Sequence, residues 1–330
     1  AKCVACHRPG EVAPMSLISY KDVRPWASSI REKVTSRVMP PWHADRRYGT
    51  FRNEQSLTQN EIDTIVKWVS AGAPEGNPSR MPALPKFPEG WQIGTPDIVF
   101  EMPTAYSIPA KGEIEYQYFE VPTNFTEDRW MQAGEVRAGD RAHVHHIIVY
   151  VKEPNPTPRP SVMTNRMIAS AVPTAPVAPP APRPAAEPRA AAAPPSPVAR
   201  TGDQMLVNWA VGEDAPVFLP GMAKRIPKGS SLVFQVHYTT NGTAGTDRSR
   251  IGLIFAKEPP KREVRTGMIL NPLFAIPPGA ANHEIQAEGT FTEDVNVWSL
   301  HPHMHLRGKD MTYTATYPDG RSEIVVRVPK

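Results

Sequence analysis

The apolar residues of this chain change period at Asp97, and that change limits the fold more than any other feature. Before it, residues 21–37 place Val23, Trp26, Ala27, Ile30 and Val34 at helical spacing. Thr58 followed by Glu61 has the pattern of a capping box, Ile62, Ile65, Val66 and Val69 form an apolar stripe, and Gly72 supplies a stop. After it, short β-branched and aromatic runs are separated by turn signals, at residues 98–102, 115–121, 144–152, 231–239, 251–256, 295–300 and 311–317. Tyr317-Pro318-Asp319-Gly320 reads as a turn, because Pro pre-sets φ and Gly tolerates positive φ. Many short strands after a helical start argue for a small all-α domain followed by β-sandwiches.

Proline is the second constraint. The chain holds 39, and fourteen fall between Pro154 and Pro197, mixed with an alanine run at 190–193. Such a composition cannot bury a core, so residues 153–202 are expected to be a disordered insertion in a loop of the first β domain. Residues 78–96, also Pro-rich and polar, read as a linker. The expected domains are therefore 1–77, 97–265 and 266–330. Charged residues make up 21% and the formal charge is +4, too mild for a nucleic-acid partner. No apolar run of 18 or more residues predicts a membrane span, and no signal peptide is visible.

Cys3-Val-Ala-Cys6-His7 fits c-type haem attachment, with two thioethers holding the porphyrin and His7 on the iron. Met39, in Val-Met-Pro-Pro-Trp, is the expected second axial ligand, with Met15 as its rival. A redox Cys pair would need a βαβ context, and a zinc site would need a second Cys pair; the chain shows neither pattern. Residues 1–77 are thus expected to be a cytochrome c domain. A helix that ordinarily precedes such a motif is expected to be missing, and the run before Lys330 to be a strand cut in mid-domain.

The remaining histidines are pooled. His143, His145 and His146 share one short stretch, His301, His303 and His305 alternate, and His237 lies in an apolar run. On a strand, residues two apart share a face, so His303 and His305 project together, and spacing pairs His143 with His145. His145 and His146 could serve one metal only if the strand bulges there. His237 taken alone reads as a hydrogen-bonded core residue. His43 and His283 have no evident partner in the pattern.

At these residues the chain resembles the copper type II, ascorbate-dependent monooxygenases, the group of peptidylglycine α-hydroxylating monooxygenase and dopamine β-hydroxylase. Val144-His145-His146-Ile147, Gln235-Val236-His237-Tyr238 and His303-Met304-His305-Leu306-Arg307-Gly308-Lys309 look like the three ligand segments of that family, in its order. With the haem motif ahead, the arrangement looks like the haem-fused bacterial members. The resemblance implies that His145, His146 and His237 bind the electron-donating copper, and that His303 and His305 bind the copper where dioxygen reacts. It implies a methionine ligand beyond Lys330, and hence a truncated second jelly-roll-like sandwich. It also implies heme c, two copper ions, ascorbate or another external electron donor, and a small-molecule or peptide substrate hydroxylated at a C–H bond. Covalent haem implies a periplasmic or extracellular location. The rival readings are a haem and copper electron-transfer or copper-carrying module, and a zinc hydrolase built on His303 and His305.

Overall fold

The computed structural model describes residues 2–9, 13, 15–83, 90–155, 163–167, 205–271, 274–304 and 307–329. The chain forms two compact units, one made of Gly90–Val295 and the other of Ala1–Glu89 with Asn296–Lys330.

Gly90–Val295 holds thirteen described strands. They are β1 (Ile98–Glu101), β2 (Tyr106–Ile108), β3 (Gln117–Pro122), β4 (Arg129–Arg137), β5 (Val144–Lys152), β6 (Met163–Met167) and β7 (Met205–Ala210). There follow β8 (Met222–Ile226), β9 (Ser231–Tyr238), β10 (Gly245–Asp247), β11 (Arg250–Phe255), β12 (Arg262–Glu263) and β13 (Ala287–Phe291). A five-stranded sheet runs β1-β11-β4-β8-β12 and a four-stranded sheet runs β3-β9-β5-β7, with β10-β2 and β13-β6 as separate pairs. Alternation decides what each strand buries. Ile147, Val149 and Val151 of β5 and Leu232, Phe234 and Val236 of β9 point inward. They join Met131 and Val136 of β4, Ile226 of β8, and Ile251 and Leu253 of β11 in one hydrophobic cluster. The two larger sheets therefore share a core, and the opposite face of the four-stranded sheet carries His146, Gln235 and His237 beside the apolar Ile148 and Val233.

One fully buried carboxylate ties the ends of these strands together. Asp247 accepts the Tyr238 hydroxyl at 2.8 Å, the Ser249 hydroxyl at 2.8 Å and the Asp140 backbone N–H at 2.9 Å. Burial, and then the Asp247 charge, push the Tyr238 phenol well above its ordinary range.

The other unit starts with short helices: α1 (Tyr20–Val23), α2 (Ala27–Thr35) and α3 (Gln59–Ser70). The helix expected over 21–37 is interrupted at Arg24–Trp26 by a 3-10 turn carrying Pro25, whose ring has no N–H to give the α-helical ladder. Helix α3 starts as expected, with the Thr58 hydroxyl accepting from Glu61 N–H while the Glu61 carboxylate takes the Thr58 N–H at 2.7 Å. Val34, Leu57 and Ile62 form its small core. Strands β14 (Met311–Thr316) and β15 (Ser322–Val328) form a hairpin in the same unit, closed at the expected turn with Gly320 at φ 85°. Asp45 N–H donates to the Arg327 carbonyl at 2.7 Å, joining the N-terminal stretch to β15. Among the described residues, no helix is long and apolar enough to cross a membrane.

The expectation of an all-α cytochrome c domain followed by two sandwich domains is overturned. Strands predominate, the helices are few and short, and what is shown is a β-rich fold of open sheets. Residues 1–77 share their unit with the β14–β15 hairpin. After residue 266, β13 pairs back to β6, β14 and β15 pair only with each other, and no further sheet forms among the described residues. Periodicity reports that a segment is a strand; it does not report the strand's partner. Strand β6 lies inside the span expected to be disordered, in a stretch without proline from 161 to 172 that leaves every N–H able to ladder. Most of that span lies outside the described residues. The expected strand at 295–300 is irregular chain, with Val295, Val297 and Leu300 exposed.

Removing the buried carboxylate is expected to cost more than removing one of its donors. Asp247→Ala should lower the unfolding free energy by about 3 kcal/mol or more, and Tyr238→Phe by about 1–2 kcal/mol, both read from urea midpoints. Hydrogen bonds from the Thr58 backbone N–H, then its hydroxyl, hold the Glu61 carboxyl down to about 2. A lowered carboxyl pKa stabilises the fold above the unfolded value and is lost on acidification. Helix α3 should therefore begin fraying at its N-terminus as the pH falls from 4.5 toward 2, followed by the Glu61 amide signal.

Candidate metal centre

Strands β5 and β9 are antiparallel, and their register slips once. Val144 pairs with Tyr238 and His146 with His237, so β5 advances two residues while β9 advances one. The extra residue is His145. In a regular strand His145 and His146 would face opposite sides; the bulge bends β5 and turns both imidazoles to the same side. His237 lies directly across from His146 on the outer face of the four-stranded sheet.

The three rings converge. Centroids lie 5.3 Å apart for His145–His146, 5.2 Å for His145–His237 and 4.9 Å for His146–His237. One ring nitrogen of each lies within 4.8 Å of the others, and Nδ1 of His145 is 3.1 Å from Nδ1 of His146. Imidazole–metal bonds of about 2.0–2.1 Å place two ligand nitrogens about 3.3–3.5 Å apart, so a small closure of the rings would hold an ion. His145 is exposed and the other two are half-buried. Tyr116 closes one side, its ring 5.0 Å from His237 and 5.8 Å from His146. It stands one residue ahead of the Gln117–Val236 pair, a placement visible only once register is known.

His143, which spacing alone would pair with His145, has a different setting. Its ring is buried, with Nδ1 2.7 Å from the Asp140 carboxylate and Nε2 3.2 Å from the Thr243 carbonyl. Burial alone would lower its affinity for a proton, but the Asp140 and Thr243 oxygens outweigh it and leave the pKa raised. Both ring nitrogens face acceptors, so this imidazole offers no lone pair to a metal.

The haem motif forms one helical turn. Cys6 N–H and His7 N–H both donate to the Cys3 carbonyl, at 3.2 and 2.9 Å, which sets both thiols and the imidazole on neighbouring positions of one face. Both cysteines are half-buried, and burial raises the Cys3 thiol. His7 Nδ1 donates to the Met15 carbonyl at 3.2 Å, so Nε2 carries the ring's lone pair. These features fit a covalently attached haem. The structure places the Met15 backbone against His7, while Met39 is exposed just after α2.

His303 is exposed in irregular chain, and His305 lies outside the described residues. His301 accepts the Tyr313 hydroxyl through its carbonyl, and His43 is exposed. Among the described residues, His145, His146 and His237 are the one grouping of three metal-capable side chains. Comparison of the chain with protein-family models, with curated proteins and with solved structures gives no match.

Replacing His146 or His237 with Ala should weaken the binding of an added metal ion by about 100-fold or more. Both rings project from the outer face, so unfolding free energy should change by less than about 1 kcal/mol. Competition with a chromophoric chelator, alongside urea unfolding, checks both parts.

Proposed function

We propose that this chain is a copper-dependent monooxygenase that hydroxylates a C–H bond with dioxygen, with electrons entering through a c-type haem on the same chain. The reading rests on the bulge that sets His145 beside His146 and opposite His237. Three imidazoles with no thiolate or carboxylate form a donor set that suits copper, which stands at the top of the affinity order for such sites. Copper when bound supplies one-electron chemistry, and haem supplies a store for electrons on the same chain. Cys3, Cys6 and His7 would hold the haem, with Met39 or Met15 as the further axial candidates. His303 and His305 would hold a second copper, by resemblance alone.

The chain's own residues do the positioning. The paired strands fix the spacing of the three imidazoles, and Tyr116 shields one side of them. The exposed edge of His145 leaves the centre open to an external donor such as ascorbate or a reduced partner. That same exposure favours the second reading, a copper-carrying or electron-transfer module without hydroxylase activity. Periplasmic or extracellular assembly follows from covalent haem, and a small molecule or peptide is the substrate class.

The copper-loaded full chain is expected to bind copper stoichiometrically, to give a type II electron paramagnetic resonance signal, and to form a hydroxylated product carrying oxygen from labelled dioxygen. Copper bound without labelled product assigns the chain to the carrier reading. Zinc in place of copper overturns both.

A further inference from the structure

We infer that His143 and Asp140 are positioning residues for the three-histidine centre, holding the register slip that brings His145 beside His146. The inference rests on the metal-site reading of that centre. A bulge leaves one residue out of the ladder, and a regular β5–β9 pairing would instead put His145 opposite Tyr238 and turn its ring to the other face. Something must oppose that slide.

Five observations identify it. The Asp140 carbonyl accepts both His143 N–H, at 3.3 Å, and Val144 N–H, at 3.0 Å, curling the chain just before the slip. The buried His143 ring is pinned between the Asp140 carboxylate and the Thr243 carbonyl, so the curl cannot unroll without breaking both bonds. On the far side, Thr239 N–H donates to the His143 carbonyl at 2.8 Å, which continues the shifted pairing beyond the bulge. Asp247 then grips both strands at that point, through Asp140 N–H on the β5 side and the Tyr238 hydroxyl on the β9 side. The His143–Asp140 pair occupies a slot that exists only because residue 245 is glycine. A Cβ there would overlap the Asp140 carboxylate and lie 2.7 Å from His143 Nδ1.

The test uses the full chain and three variants. His143→Ala removes the pin; Gly245→Ala wedges the pair apart while deleting no hydrogen-bonding group; His143→Gln keeps a side chain able to donate to one acceptor. Cross-strand nuclear Overhauser effects report the register without any metal: Val144–Tyr238 and His146–His237 in the native chain, His145–Tyr238 once the slip is lost. Copper affinity by chelator competition and the type II hyperfine splitting report the centre. His143→Ala and Gly245→Ala are expected to show the regular register, a changed splitting, and copper binding weakened about 10- to 100-fold, with His143→Gln in between. Variants that stay folded by circular dichroism and keep the slip, the splitting and the native affinity overturn the inference. A native chain that shows the slip but binds no copper overturns the metal-site reading, while the register data still decide the role of the pair.

Discussion

The geometry of the candidate centre depends on a conflict between two periodicities in one strand. Strand β5 must keep Ile147, Val149 and Val151 in the shared core, and that requirement fixes its alternation from residue 146 onward. Val144 is also buried, in step with Tyr238. From Val144 to Ile147 is an odd number of residues, so a regular strand cannot bury both. The bulge at His145 resolves the conflict, and the side chain left over is an imidazole. The core therefore places the ligands: burying the correct apolar residues on either side of the slip leaves His145 and His146 on the outer face.

Polar chemistry beneath the slip supports the same arrangement. A carboxylate as buried as Asp247 is costly unless its oxygens are satisfied, and here hydroxyl and amide donors arrive from three separate segments. Each bond links a strand end that apolar packing alone would leave free to shift. Along the cluster, identity gives way to scaffolding over a few ångströms, from imidazoles that can meet a metal to His143, whose nitrogens are both committed to oxygens.

Local signals in the sequence were legible. The Thr58–Glu61 cap, the turn before Gly320 and the span of β5 follow from residue chemistry within a few positions, and the structure repeats them. The need for a bulge at His145 could be stated from strand geometry, and the pairing with His237 supplied it. What could not be read was anything set by partners distant in sequence. The pairing of β6 with β13 crosses the proline-rich span, and the joining of Asn296–Lys330 to the first 89 residues crosses the whole of the other unit. Those misreadings produced the sandwich architecture that the structure overturns. Tyr116, Asp140 and Asp247 were likewise invisible, since an isolated tyrosine or aspartate carries no mark of the ring or strand it will meet.

The unit that carries Cys3, Cys6 and His7 is built from two stretches of chain, with Gly90–Val295 between them. The stretch with Cys3, Cys6 and His7 precedes the whole of Gly90–Val295 in sequence, and the β14–β15 hairpin of the same unit follows it. The intervening body can close its own core while the first stretch still waits for β14 and β15. A unit closed by two stretches so far apart in sequence bears the closure entropy of the whole intervening body, so its assembly is tied to that body having compacted first.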